Sequence, residues 1–299
     1  MSDQRFYIEC PKFGDDFKIK DKKARRDYAH PVDSGIIKFL DNSAINSVFR
    51  QLVEMMADST YGPIIASGIP INQHNYPQLN ELVNECVEEL NIKRPYTIIS
   101  SSISGLNAMA FGSDEEPYIA VSPLMVRTMS AQQLKFIIGH ECGHVAMGHM
   151  IYHTVVSIAS IFASAVPIIG PIVNKVGALP LKAWSRRSEI SADRAGLLCC
   201  GDCRTAQRTL LQLEMPFMDA SQIDIEEYVS NSSKYLSKGI IRKINEFDDA
   251  HPIIPKRIHA LHIFSASEMY HRITGQTVPA GAISDTELES KTENIIKVL

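Results

Sequence analysis

The sequence predicts an α+β fold, mostly helical, with one small β-sheet in the first half of the chain. Three observations carry that expectation. Apolar residues recur at helical spacing along most of the 299 residues. The period shortens to that of strands only between Tyr96 and Val121. The composition, 45% hydrophobic and 21% charged with Gly 16 and Pro 15, belongs to a chain that buries a core rather than to a disordered or low-complexity one. Lys plus Arg is 30 against 34 for Asp plus Glu, a formal charge of −4, so nucleic acid is not expected as a partner.

The elements follow in order. Residues 1–30 read as a polar tail, and its basic run from Lys18 to Arg26 reads as solvated. Ile45, Val48, Phe49, Leu52, Val53 and Met56 form a helical stripe over Ala44–Ala57. A second helix starts near Pro77 and buries Leu79, Leu82, Val83, Cys86, Val87 and Leu90. Tyr96–Ile99, Leu106–Phe111 and Tyr118–Val121 read as short strands. Ser122-Pro123 opens a short helix. Ser130 with Gln133 makes a capping box, so a helix begins at Ala131 and meets no breaker before about His149. Further helices are expected at Leu181–Leu198, Arg204–Glu214, Ile225–Leu236 and Lys256–Phe264, and one short helix near the C-terminus.

The N-terminal stretch lacks the apolar run and small-residue site of a secretory signal, so the default compartment is the cytoplasm. Six cysteines are too sparse for a disulfide framework and are expected as free thiols. The CxxC formed by Cys200 and Cys203 has no second pair to complete a site, and Gly201 reads as a helix C-cap, so these cysteines are read as structural. Residues 154–173 form a charge-free stretch of membrane-span length. Pro167, Gly170 and Pro171 break it, which favours a helical hairpin packed on the core or on a partner subunit over membrane contact.

The chemistry concentrates in His140-Glu141-Cys142-Gly143-His144. Two histidines four apart on a helix project from one face and can share one ion. Neutral imidazole suits Zn²⁺. Glu141, displaced by about 100° around the helix, cannot easily be a third ligand but can act as general base toward a water on the metal. With ten His and eighteen Glu in 299 residues, chance supplies only ~0.02 copies of this pattern. A catalytic zinc needs one more protein ligand. Glu189 and Asp193, also four apart on a probable helix, offer it: one to bind, the other to orient a ligand histidine. His149 and His153 follow the motif. On a continuing helix they rotate about 140° and 180° away from His144, so they are read as structural or surface residues.

HExxH followed by ExxxD resembles the M48 zinc endopeptidases of the gluzincin group, and closest of all their soluble members. Asn107-Ala108-Met109-Ala110 resembles the family's active-site strand, Ser191–Gly196 its small residues after the ligand Glu, and His251-Pro252 with Arg257-Ile258 a downstream HP…R element. The resemblance implies a zincin-like domain over 31–265, with a catalytic core from about 90 to 265, an apolar helical hairpin at 151–182 and a C-terminal extension at 266–299. It implies one catalytic Zn²⁺ held by His140, His144 and Glu189, Glu141 as base, and Asp193 as the partner of His140. His251 and Arg257 are implied to contact substrate or oxyanion, or to support the Glu189 helix. The expected activity is endopeptidase cleavage of proteins or peptides. The rival outside enzymes is a silent, zinc-stabilised scaffold. The aminopeptidase rival lacks its GxMEN-type motif.

Overall fold

The computed structural model describes residues 24–33, 35, 61–153, 178–216, 218–236 and 252–297. The helix expected over 44–57, the apolar stretch 154–173 and His251 lie outside these residues. The architecture is α+β, as expected: helices around a four-stranded mixed sheet.

The sheet holds β1 (Gly68–Pro70), β2 (Tyr96–Ser100), β3 (Ala108–Gly112) and β4 (Pro117–Val121), in the order β1-β2-β4-β3. Strands β2 and β4 run parallel, while β1 and β3 each pair antiparallel at the two edges. The first strand was not foreseen: three residues, Gly-Ile-Pro, are too short for an alternating pattern to show. Among the described residues β3 is an edge strand, paired on one side only, with β4.

The helices follow the chemistry of their ends. In α1 (Pro77–Leu90), Pro77 fills the first turn, where a missing N–H costs nothing. In α2 (Pro123–Thr128), the Ser122 hydroxyl accepts from the Met125 N–H at 3.2 Å. The capping box of α3 (Ala131–Met147) is present in both directions: Gln133 N–H donates to Ser130 Oγ, and Ser130 N–H donates to Gln133 Oε1. This helix stops two residues short of the expected end. Gly148 turns left-handed at φ 73°, and its N–H closes on the His144 and Val145 carbonyls.

Next come α4 (Ala178–Cys200) and α5 (Cys203–Glu214). Gly201 (φ 71°) ends the first, and the Asp202 carboxylate caps the second. The cysteines around this turn have no metal-site partner among the described residues; Cys199 and Cys200 are buried in the main core, which agrees with a structural reading. After α6 (Ile225–Leu236) come α7 (Ile254–Ser265), α8 (Glu268–Ile273) and α9 (Asp285–Ile296).

Both ends of the described chain join the main core. Tyr28 is wholly buried in it, and Arg26 donates to the Ala146 carbonyl, so the last residues of the tail expected over 1–30 are built into the domain. Leu288 of α9 and Met269 and Tyr270 of α8 belong to the same core. The buried Arg194 explains this convergence. Its guanidinium donates to the Tyr28 carbonyl and to both oxygens of Glu289, so one side chain of α4 ties down both chain ends.

The packing of α3 on α4 sets the position of everything else. A Cβ placed on Gly139 would stand 2.6 Å from Cys199 Cβ, one on Gly143 2.7 Å from Ala195 Cβ, and one on Gly196 2.7 Å from the Phe136 carbonyl oxygen. Glycine is therefore required by close approach at three points along a single seam. Gly→Ala in a helix ordinarily gains about 1 kcal/mol of propensity. We predict the opposite sign for Gly143→Ala: a net loss of about 1–3 kcal/mol from overpacking, read from the midpoint of urea unfolding at unchanged slope. A more stable variant would show that the seam yields easily.

Candidate metal centre

The close seam brings the first turn of ExxxD against the last turns of HExxH. His140 Nε2 and His144 Nε2 lie 3.2 Å apart. The Glu189 carboxylate stands 3.6 Å from the first and 3.5 Å from the second. A tetrahedral ion with bonds of 2.0–2.1 Å holds its ligand atoms ~3.3 Å apart. These three side chains therefore match three corners of a zinc site, and they form one of two groups among the described residues whose ligand atoms converge. All three are buried.

The donor chemistry fits as well. Burial is the main effect on His144, and it lowers the pKa to about 4 despite the pull of Glu189, so the imidazole is neutral and offers a lone pair. Burial also disfavours the charged form of His140, but the bond to Asp193 and the charge of Glu189 outweigh it and raise its pKa. Two imidazole nitrogens and a carboxylate converging without water are costly unless a cation compensates them.

Asp193 stands one helical turn beyond Glu189, on the same face. It accepts from His140 Nδ1 at 3.0 Å and from Arg257 twice, at 2.8 Å and 2.6 Å. Burial would raise the Asp193 carboxyl, but the Arg257 guanidinium overrides it and holds the pKa below the ordinary value. Arg257 also reaches Glu189 at 3.2 Å. Of the contacts implied for Arg257 by resemblance, the geometry provides the support of the Glu189 helix. It is 8% exposed, and its donors are turned to Asp193 and Glu189.

Glu141 lies on the sheet side of α3, where the Ala110 N–H of the edge strand donates to its carboxylate. Burial is the dominant influence and raises its pKa, which moves it toward the range of a group that both accepts and returns a proton. In the antiparallel register Ala110 faces Ile119, and its N–H turns outward from β4 toward Glu141. Ala108 and Met109 share this strand. Asn107 precedes it, its carbonyl accepting from the Ser122 N–H at 3.0 Å.

One reading of the sequence needs correction. His149 was expected on a continuing helix, turned away from the metal face. Because α3 ends at Gly148, the chain folds back and His149 is fully buried, with its Nδ1 2.8 Å from His144 Nδ1. Its Nε2 lies 3.1 Å from both oxygens of Asp33. His153 also comes close, its ring 4.9 Å from that of His144 and its Nε2 2.8 Å from Ser188 Oγ. Only the glycine at 148 signals this in the sequence.

Residues 73–264 match the model of peptidase family M48. The chain belongs to that family. Within M48, it is 25% identical to the plastoglobule-localized metallopeptidase 48 of Arabidopsis thaliana chloroplasts, over 57% of this chain and 50% of that one. It is 24% identical to a protease HtpX homolog of Archaeoglobus fulgidus, over 60% of this chain and 66% of that one. The chain thus spans about half the length of the first relative and just under two thirds of the second. A looser likeness connects it to the crystal structure of S. mikatae Ste24p, with TM-score 0.43 and 14% identity over 77% of this chain and 61% of that one. No helix among the described residues is long and apolar enough to cross a membrane.

Two predictions follow from the charges. Arg257→Met leaves Asp193 as a buried charge without its cation, so we expect a loss of about 3–5 kcal/mol in denaturant unfolding; a loss below about 1 kcal/mol would mean that water replaces the guanidinium. A metal must displace the proton that His140 binds through its raised pKa. Zinc affinity should therefore be full above that pKa and fall as pH drops through it, which chelator competition at stepped pH would read.

Proposed function

We propose that the chain is a zinc-dependent endopeptidase, with His140, His144 and Glu189 as the metal ligands and Glu141 as the general base. One observation supports this reading above the others. The Glu141 carboxylate sits between the ligand trio and the open edge of the sheet, bonded to the edge through the Ala110 N–H. A group that must meet both a metal-activated water and a peptide backbone belongs in that position.

A zinc ion held there would supply a Lewis acid for the scissile carbonyl and an acidified water as nucleophile. The chain's own residues do the rest. The outer edge of β3, from Asn107 through Ala110, pairs with an extended peptide by strand addition beside the bond from Ala110 N–H to Glu141, which fixes the main chain and leaves side chains to pockets. Glu141 accepts the proton of the attacking water and passes it to the leaving amine. Its raised pKa suits both halves of that transfer. Asp193 accepts the Nδ1–H of His140 and so turns the Nε2 lone pair toward the ion. Arg257 keeps Asp193 ionised for that purpose. Strand addition reads backbone rather than a free amino terminus, and this favours internal cleavage of proteins or peptides.

Glu141→Gln should retain one zinc per chain and lose about 10²–10⁴-fold in cleavage of casein and of N-terminally blocked peptides. Wild-type rates in that variant would refute the mechanism. Cleavage confined to unblocked peptides would mark an aminopeptidase, and stoichiometric zinc without any cleavage would mark a scaffold.

A further inference from the structure

We propose that His149, held by Asp33, is a positioning residue for the metal ligand His144. The inference rests on the zinc-site reading above and adds two residues to it. Asp33 lies outside the stretch that matches the family model, residues 73–264.

The proton positions follow from the partners. Asp33 is fully buried, and the bonds that reach it come from donors: Trp184 Nε1–H at 2.8 Å and the His149 ring at 3.1 Å. A carboxylate accepts, so His149 Nε2 carries a proton. Where His144 holds a metal through Nε2, its own proton sits at Nδ1, and the facing His149 Nδ1 is the acceptor. That atom stands 2.8 Å from His144 Nδ1, which must supply the hydrogen. With its proton at Nδ1, His144 turns a bare Nε2 toward His140 and Glu189. The chain Asp33–His149–His144 thus selects the ligand tautomer and ring angle for one histidine, as Asp193 does directly for the other.

The same distances argue against a second ion. His144, His149 and His153 also form a converging group. Two nitrogens bound to one tetrahedral ion would stand ~3.3 Å apart, whereas 2.8 Å is the length of a hydrogen bond. A metal there would also need His144 Nδ1, the atom already engaged. His153 is instead bonded to Ser188 Oγ at 2.8 Å and packs on Trp184. Gly148 makes the arrangement reachable: its left-handed turn lets the His149 N–H donate to the His144 carbonyl at 3.0 Å and brings the ring back over the last turn of α3.

Two variants and one measurement on the unaltered protein test this. His149→Leu removes the acceptor and should weaken Zn²⁺ binding about 10- to 100-fold in competition with a chromophoric chelator, with the Co²⁺ absorption spectrum altered in step. His149→Asn offers an oxygen near the Nδ1 position and should restore affinity to within a few-fold of wild type. Long-range ¹H–¹⁵N correlation spectra of the zinc-loaded full chain should show His149 protonated at Nε2 and His144 at Nδ1; this readout stands even if the leucine variant fails to fold. Wild-type affinity in His149→Leu, or His149 protonated at Nδ1, would overturn the proposal. Two zinc ions per wild-type chain, one of them lost in His149→Leu, would replace it with a second metal site. A wild-type chain that binds no zinc would refute the metal centre itself, which separates that failure from failure of the relay alone.

Discussion

Everything at the metal centre depends on how closely α3 and α4 approach. Ordinary helix pairs stand 8–10 Å apart, at a distance set by the side chains between them. Here glycine lies at 139 and 143 on one helix and at 196 on the other, with Ala192 and Ala195 between. Backbone meets backbone, and the residues one turn from this seam are brought within ligand distance. Glu189 reaches His140 and His144 because the glycines let the two helices approach this closely. The spacing of the three donor side chains follows from packing, and the small residues are as much a part of the candidate site as the side chains that would hold an ion.

Around that seam, buried charge is handled by opposite means on the two sides. On one side Arg257 lies against Asp193 and Glu189, so two carboxylates share a guanidinium. On the other, Asp33 is met by an indole N–H and an imidazole ring. The first arrangement holds Asp193 ionised through charge. The second reaches His144 through hydrogen bonds, by way of the His149 ring.

The sequence disclosed the parts of the site that are local. HExxH and ExxxD each lie within a single helix, where spacing alone determines which side chains share a face. The helix starts were readable for the same reason, since Ser122, Ser130 and Asp202 cap through their near neighbours. What remained hidden was tertiary or depended on a single turn. Gly139 and Gly143 were visible as letters, but their purpose needs the partner helix. The stop at Gly148 was passed over, and with it the return of His149. Asp33 gives no local sign at all, because its partners His149 and Trp184 lie far along the chain. Strand β1 was too brief to show a period, and the role of Arg257 emerged only when its two carboxylate partners were placed around it.

The pairing of Arg194 with Glu289 has a consequence for the candidate metal centre. Arg194 sits on the same helix as Glu189 and is 1% exposed. Until α9 is available, its charge lacks both oxygens of Glu289 and cannot settle into the interior without a large desolvation penalty. The burial of the helix that carries Glu189 therefore depends on α9, at the far end of the described residues, so a change at Glu289 reaches the candidate metal centre without touching it.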